Sequence, residues 1–221
     1  MPHPAKGYYT KDGKRVPGTT TITGRFKKSD ALLYWAWDQG RQGKDFRETK
    51  QFAADAGTCC HEMIECWKHK TKFDESKYQP DVRAKAMGAY NAFLEWAEQS
   101  KLEIVETEIG LVSEKHRFGG TLDAILLRGK LALGDWKTSS NIYSDMLTQV
   151  AGGYSLLWEE HFPDKPLSGT TIVRFSKQKE EGDPISFHSH WYSAELFPIA
   201  QEHFLTLRKA YESDKKMEGL V

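Results

Sequence analysis

The chain has 221 residues, of which 31 are basic and 31 are acidic, so its formal net charge is zero. Hydrophobic residues make up 39% of it and charged residues 28%, a balance that is typical of a globular domain and excludes a disordered chain. Zero net charge also excludes a nucleic-acid-binding protein that works through global basic charge, although basic segments remain.

Neither a membrane protein nor an exported protein is expected. No stretch approaches the ~20 apolar residues that a membrane-spanning helix needs. The opening residues, MPHPAKGYY, have neither the apolar core of a signal peptide nor the pattern of a transit peptide. Three cysteines, two of them adjacent (Cys59 and Cys60), do not form the pattern of a disulfide framework, so we expect a reducing compartment, the cytoplasm.

Residues 1–28 form a basic segment. Within it, GYYTKDGKRVPGTTTITG predicts a small hairpin whose Asp-Gly turn joins a Tyr-rich and a Thr-rich arm. The composition favours a solvated, flexible arm, and the alternative is a positive face that binds phosphates. One acid, Asp12, stands among seven cations: Lys6, Lys11, Lys14, Arg15, Arg25, Lys27 and Lys28.

The segment SDALLYWAWDQG predicts a short helix, which Ser29 or Asp30 caps and Gly40 ends. The helical spacing of LLYWAW favours packing of this helix into the core. The alternative is base stacking on nucleic acid by three aromatic residues, Phe26, Trp35 and Trp37.

Two longer helices are predicted from apolar residues at helical spacing. The first runs from about Thr49 to His69. The second covers KYQPDVRAKAMGAYNAFLEWAEQSK, with Pro80 near its first turn. The apolar stripe of the second helix is formed by Val82, Ala86, Ala89, Phe93 and Trp96.

The second half of the chain is rich in short β-type runs. LEIVETEIGLV, GGTLDAILL and KLALGDWKTS predict three strands, and SGTTIVRFSK and PISFHSHWYS predict two more. The helical segments SDMLTQVAGGYSLLWEEHF and AELFPIAQEHFLTLRKAYES precede and follow that last pair. The order predicts an α/β fold with one central mixed sheet and helices on both faces.

A charged pair lies at the end of LALGDWK. Because side chains alternate across a strand, Asp135 and Lys137 should point to one face and Trp136 to the other. A short turn at residues 128–130 would bring Asp123 to the height of Asp135 on the neighbouring strand. Two adjacent carboxylates stay ionised together only if a cation lies between them or one takes a proton. This arrangement suits metal-assisted hydrolysis, with Mg²⁺ on the carboxylates and an ammonium beside the reacting phosphate or water.

A surface ion pair is the alternative for the Asp-x-Lys tripeptide. Exposed ion pairs contribute only about 0–1 kcal/mol, and short motifs match by chance. The tripeptide supports a catalytic role only in combination with the motifs that accompany it.

Those motifs resemble the PD-(D/E)XK nuclease superfamily, in its RecB-like exonuclease branch. GGTLDAILL followed by LGDWKTS resembles the Gly-Thr-x-Asp strand and the (Asp/Glu)-x-Lys strand of that branch. AGTCCHEMIE resembles its Gly-Thr-x-x-His-x-x-x-Glu helix. VPGTTTITG resembles the segment that opens many phage-type exonucleases and the mitochondrial genome maintenance exonuclease. The resemblance covers residues 7 to 192 and implies a restriction-endonuclease-like core with an N-terminal hairpin and a helical extension.

The resemblance implies a role for each matching residue. Asp123, Asp135 and the backbone carbonyl of Trp136 would bind the metal, and His61 would be a further ligand. Lys137 would be the catalytic lysine. The cofactor would be Mg²⁺ or Mn²⁺, and the imidazole would increase tolerance of Mn²⁺.

Further residues are expected around the metal ligands or on the DNA. Gln149 matches a Gln-x-x-x-Tyr motif, but the tyrosine follows one place late, at Tyr154, which an α-helix would place about 140° away. The pair Gly152–Gly153 marks either a backbone close to DNA or a kinked helix. The full group is Glu65, Glu108, Gln149, Tyr154, Arg117, Lys177 and Arg15.

Neither zinc nor an iron–sulfur cluster is expected. CCHEMIEC lacks the spaced cysteine pairs of a structural zinc site, and a zincin helix would need histidine where Glu65 stands. Some relatives hold an iron–sulfur cluster on four cysteines, which three clustered cysteines cannot supply. His188 and His190 alternate along a strand and are not expected to be ligands.

The resemblance therefore implies a metal-dependent DNA exonuclease that acts on single-stranded or duplex ends in phage-type recombination or repair. Its setting would be a bacterial or phage-infected cytoplasm, and a single-strand annealing or binding protein is a candidate partner. We expect one nuclease domain over residues 1–221, with a basic hairpin arm (1–28), a helical part (29–100) and a catalytic core (101–213). The alternatives are a structure-specific endonuclease, a non-catalytic DNA-binding accessory protein and a structural domain.

Overall fold

The computed structural model describes residues 7–27, 30–139, 141–176 and 186–220, with only the backbone of Ala31. A five-stranded mixed sheet forms the centre, helices cover both faces, and a two-stranded hairpin precedes them. The predicted α/β class is therefore confirmed. Among the described residues, no helix is both long and apolar enough to span a bilayer.

The helices and strands follow the predicted order, with one extra short helix near the N-terminus. The helices are α1 (Thr19–Arg25), α2 (Asp30–Arg41), α3 (Phe46–His69), α4 (Pro80–Ser100), α5 (Ser144–Leu147), α6 (Ser155–His161) and α7 (Phe197–Glu218). The strands are β1 (Tyr8–Tyr9), β2 (Arg15–Val16), β3 (Glu103–Ser113), β4 (Phe118–Arg128), β5 (Lys130–Lys137), β6 (Leu167–Phe175) and β7 (Phe187–Ser193).

The sheet has the order β3-β4-β5-β6-β7. Strands β3, β4 and β5 form an antiparallel meander, because short turns join them. Strand β6 lies parallel to β5, because the helical run from α5 to α6 carries the chain back to the same end of the sheet. Strand β7 is antiparallel to β6 at the edge.

The register of β4 against β5 brings the two central aspartates together. Gly129 turns the chain with a φ of +75°, and Arg128 pairs with Lys130 on either side of it. The ladder continues to the pair Ala124 and Gly134, so the next step sets Asp123 beside Asp135. The prediction that Asp123 and Asp135 lie level with each other on neighbouring strands is therefore confirmed.

Two apolar layers hold the sheet between the helices. On one face, α3 and α4 pack against the sheet, and Phe93 and Trp96 of α4 contact Trp136 and Phe175. All five residues of the predicted α4 stripe are buried. On the other face, α1, α6 and α7 cover a cluster that includes Ile22, Phe118, Leu133, Ile172 and Phe204.

The N-terminal arm differs from its prediction in two ways. Only β1 and β2 form the hairpin, and the Thr-rich stretch after Gly18 is helix α1, in which Thr19, Ile22 and Thr23 face inward at the i, i+3, i+4 spacing of a helix. The described part of the arm, residues 7–27, is also packed against the rest of the protein, where a solvated, flexible arm was expected. The ring of Tyr8 lies on the bare backbone of Gly119, where any Cβ would overlap it. Several arm cations pair with acids of the same chain: Lys14 with Asp12, Arg25 with Asp214 and Glu218, and Lys27 with Asp145.

Helix α2 does not enter the core, so that interpretation is wrong. It ends at Arg41, and none of its described side chains is fully buried. Helical periodicity identifies the apolar side of a helix but not what covers it, and α3 and α4 already cover the nearer face of the sheet. The exposed apolar side chains of α2 are Leu32 (48%), Leu33 (65%), Tyr34 (68%) and Trp37 (55%).

A π-helix, Thr148–Tyr154, joins α5 to α6. It contains Gly152 and Gly153, whose missing side chains let α7 approach closely. A Cβ at Gly152 would overlap the carbonyl oxygen of Ala200, and one at Gly153 would lie 3.0 Å from the ring of Phe204. The glycine pair is explained by helix packing and not by an approach of DNA.

We predict that Gly152→Ala lowers the free energy of unfolding by about 1–3 kcal/mol, because the added methyl group would overlap the backbone of Ala200 and force α7 to shift. The matched control is Gly40→Ala in exposed α2, where nothing lies within 4 Å of the added carbon. That change should raise the free energy of unfolding by roughly 0.5–1 kcal/mol. Urea denaturation measures both, and an unchanged or higher stability of Gly152→Ala would contradict the packing.

Candidate metal centre and its cleft

A cleft of about 1070 Å³ lies at the end of the sheet where β5 leaves β4. Its walls come from the N-terminal arm, from α1 and α3, and from the strands β3, β4 and β5. It is lined by eight residues that the sequence singled out: His61, Glu65, Glu108, Asp123, Trp136, Lys137, Gln149 and Tyr154. Asp135 is fully buried behind this surface.

Three side chains in the cleft have the geometry of a metal-binding group. The ligand atoms of His61, Glu108 and Asp123 all lie within 4.8 Å of one another. The Nδ1 atom of His61 is 3.5 Å from Oε1 of Glu108 and 3.9 Å from Oδ1 of Asp123. One imidazole nitrogen and two carboxylates are donors that suit Mg²⁺ or Mn²⁺, so the residues fit such an ion.

The charge on His61 indicates how strongly this group attracts a cation. Burial lowers the pKa of the imidazole, but the carboxylates of Asp123 and Glu108 outweigh it and raise the pKa to about 9. Without a metal, a proton on His61 therefore offsets part of the negative charge. A divalent ion would compete with that proton for the same nitrogen.

Glu108 is one of the three residues of the metal-binding group. The sequence predicts it instead among the residues around the metal ligands and not among the ligands themselves. It stands opposite Asp123, because Thr107 pairs with Ala124 and Ile109 with Leu122. Its backbone adopts a left-handed φ of +52°, which is uncommon for a residue other than glycine. Such backbone conformations occur disproportionately at functional sites.

Asp135 and Lys137 form a buried ion pair. The Nζ atom of Lys137 is 2.6 Å from Oδ2 of Asp135, while Trp136 between them packs into the opposite core layer, as predicted. Apart from this ion pair, no residue in the described part of the chain gives a hydrogen bond to the oxygens of Asp135. Burial raises the pKa of Asp135 to about 7. Burial also lowers the pKa of Lys137, but the negative charges of Asp135 and Asp123 outweigh it and raise that pKa above its usual value.

The backbone of Trp136 holds Asp123 in place. Its N–H donates a 2.8 Å hydrogen bond to Oδ2 of Asp123, so this carboxylate oxygen replaces the backbone carbonyl that would accept the bond in a regular β-ladder. The other oxygen of Asp123 is the one nearest His61. The role of the Trp136 carbonyl as a metal ligand stays a prediction.

The π-helix explains the unusual spacing of Gln149 and Tyr154. Its turns pair residues five apart, so these two side chains share a face, and Gln149 Nε2 donates a hydrogen bond to the Tyr154 hydroxyl. The predicted separation of about 140° assumed an α-helix and is wrong for that reason. Burial raises the pKa of Tyr154 well above its usual value, so the phenol stays neutral beside the carboxylates.

Of the three candidate DNA contacts Arg15, Arg117 and Lys177, the two that the structure describes do not line the cleft. The guanidinium of Arg117 is 3.0 Å from Asp12, an acid of the N-terminal hairpin. Arg15 is exposed on β2. Lys177 lies outside the described residues.

No cysteine and neither histidine of β7 belongs to the metal-binding group of the described residues. Cys59 and Cys60 lie on the buried side of α3, and burial raises the pKa of Cys59 to about 11, while the partly buried Cys66 lines the cleft. His188 and His190 are exposed on the edge strand β7.

Several residues that line the cleft had no predicted role. Tyr8 donates to or accepts from Thr121 at 3.0 Å, and Thr19 lies at the start of α1. On the opposite wall, the hydroxyl of Tyr78 donates a 2.8 Å hydrogen bond to Glu62. Thr19, Glu62 and Thr121 lie within the quoted segments VPGTTTITG, AGTCCHEMIE and GGTLDAILL, but no local pattern marks Tyr8 or Tyr78, which reach the cleft only on folding.

No family model matches the chain, and no curated protein does. Among solved structures, the chain is similar to the crystal structure of LHK-Exo in complex with dAMP, at 13% identity and a TM-score of 0.37, covering 77% of this chain and 92% of that one. It is also similar to the crystal structure of SSO0001, at 14% identity and a TM-score of 0.30, covering 67% and 71%. At these TM-scores neither likeness supports a conclusion about function.

We predict that Asp123→Asn weakens Mn²⁺ binding at least ~10-fold, because it removes a charged ligand from the metal-binding group. Isothermal titration calorimetry of Mn²⁺ into the purified protein measures the change. Asp164→Asn, an exposed aspartate outside the cleft, is the control and should bind Mn²⁺ like the wild type. Equal affinity for both variants would show that Asp123 does not hold the ion.

Proposed function

We propose that the protein is a divalent-metal-dependent deoxyribonuclease, and specifically an exonuclease that acts from DNA ends. The observation that carries this proposal is one cleft that contains a metal-binding group (His61, Glu108, Asp123) directly beside a buried Asp135–Lys137 pair. Acids that hold a metal, next to a lysine that reaches the same cleft, are the components of metal-assisted phosphodiester hydrolysis.

The bound ion, Mg²⁺ or Mn²⁺, would neutralise charge on the phosphate and lower the pKa of a bound water. His61, Glu108 and Asp123 would hold it. The Asp135 carboxylate is not part of this group and pairs with Lys137, so its predicted role as a metal ligand stays a prediction. The ammonium of Lys137 would orient the attacking water or stabilise the negative charge that develops on the phosphate oxygens. Gln149 and Tyr154 would keep the cleft wall beside these acids rigid.

A purely structural role explains the Asp135–Lys137 pair less well. Burying an ion pair costs more than it returns unless further hydrogen bonds complete it, and Asp135 has none from the described residues apart from the ion pair. Strongly shifted pKa values in a cleft are typical of functional sites. The pair therefore fits a reaction better than it fits a contribution to stability.

The substrate and setting of the proposed enzyme come from the motif resemblance. The (Asp/Glu)-x-Lys strand, the Gly-Thr-x-Asp strand and the His-containing helix all belong to DNA nucleases of the RecB-like branch. We extend this to action on DNA ends in phage-type recombination or repair, with a single-strand annealing or binding protein as partner. An endonuclease or a non-catalytic DNA-binding protein is a possible outcome of the test that follows.

We predict that the protein degrades end-labelled linear DNA, but not circular single-stranded DNA, when Mg²⁺ or Mn²⁺ is present. Lys137→Ala should lower the rate by about 100-fold or more, since it removes the group that stabilises developing charge. Lys130→Ala, at the far end of the same strand, is the matched control and should retain the rate.

Circular dichroism should show that both lysine variants are folded. Loss of linear and circular DNA alike would establish an endonuclease. No degradation of single-stranded or duplex ends with either metal would refute the proposed activity.

A further inference from the structure

Residues 30–50, which are α2 and the start of α3, form a helical hairpin with an exposed aromatic surface; we refer to them as the aromatic hairpin. Three rings on it are exposed: Tyr34 by 68%, Trp37 by 55% and Phe46 by 37%. We propose that the aromatic hairpin binds single-stranded DNA by stacking with its bases and delivers that strand to the cleft. This inference rests on the proposed nuclease function and names the substrate class of its site.

Both ends of the aromatic hairpin meet the chain near the cleft. Before it, Lys27 Nζ lies 2.9 Å from Oδ2 of Asp145 and 4.9 Å from the ring centroid of Tyr143, in the segment that follows β5. After it, α3 enters the cleft wall at Ala54, and a Cβ on Gly57 would lie 3.2 Å from the Thr138 hydroxyl. The helix that carries Phe46 therefore continues without a break into the cleft wall, so a strand held on the aromatic hairpin lies along the helix that leads to the cleft.

Two of the rings carry an arginine over one face, which leaves the opposite face for a base. The centroids of Tyr34 and Trp37 are 5.5 Å apart at an interplanar angle of 42°, so the two rings do not cover each other. The guanidinium of Arg41 lies 4.8 Å from the ring centroid of Trp37, and that of Arg47 lies 5.8 Å from the Phe46 ring. Exposed aromatic rings with neighbouring arginines are the surface on which unpaired bases stack.

This surface favours a single strand over a duplex. In a duplex, the flat faces of the bases are covered by their neighbours, and an enzyme must unstack a base to reach it. In a single strand the faces are available, and each base that stacks contributes about 1–3 kcal/mol. The aromatic hairpin carries four acids and four cations, so its contribution should come from stacking and not from attraction of phosphates.

The test measures binding of fluorescein-labelled dT20 by fluorescence anisotropy in EDTA, where a metal-dependent enzyme cannot cut. Trp37→Ala should raise Kd by about 5- to 100-fold, the effect of one lost stacking contact. Because stacking carries the effect, the ratio should change little between low and high salt. Trp37→Phe should retain most of the affinity.

Trp191→Ala is the matched control, because Trp191 is also 55% exposed but lies on β7, where it lines a different groove. Its Kd for dT20 should equal that of the wild type. Equal losses for the two variants, or none for Trp37→Ala, would overturn the inference. So would sedimentation showing a dimer that Trp37→Ala dissociates, since the apolar face would then be a subunit interface.

A small substrate separates this inference from the proposed function. Hydrolysis of thymidine 5′-(p-nitrophenyl phosphate) with Mn²⁺ requires the cleft alone, so Trp37→Ala should leave its rate unchanged. If hydrolysis is normal and dT20 binding is insensitive to Trp37, the nuclease stands and the inference is wrong. If no DNA or ester is hydrolysed, the proposed function is wrong, and the binding comparison still decides whether the hairpin holds DNA.

Discussion

The crowding of three carboxylates at one end of the sheet is the constraint on which the site depends. Asp123, Asp135 and Glu108 converge there, and His61 and Lys137 are the cations beside them. Each cation keeps its proton more tightly than usual because of these acids. Burial, together with the negative charge of Asp123, raises the pKa of Asp135. A divalent ion held between these acids would relieve their repulsion, which supports the proposal of a metal centre.

The rest of the fold keeps that crowding in place. The tight turn at Gly129 sets the register that aligns Asp123 with Asp135, and the Trp136 ring anchors β5 in the core formed with Phe93. On the other side, Tyr8 lies flat on β4. The π-helix, packed through its glycines against α7, adds a neutral wall beside the acids. The packing that stabilises the helices therefore also holds the acids in position.

Local patterns in the sequence predicted the features that depend on neighbouring residues. The α4 stripe, the β4–β5 register and the opposite facing of Trp136 each follow from spacing along one or two elements. The failures depend on distant parts of the chain. Periodicity could not tell that nothing covers α2, and composition could not tell that Tyr8 packs on Gly119. Likewise, the one-residue shift to Tyr154 becomes interpretable only when the helix is seen to be a π-helix.

The central claim is that His61, Glu108 and Asp123 bind one divalent ion beside Lys137. Its most direct test is a crystal structure of the protein soaked with Mn²⁺, with data collected for the anomalous signal of the metal. The claim predicts one strong anomalous peak at coordination distance, about 2.0–2.3 Å, from Nδ1 of His61 and from oxygens of both acids. No peak in the cleft at saturating Mn²⁺, or a peak bound by other residues, would contradict it.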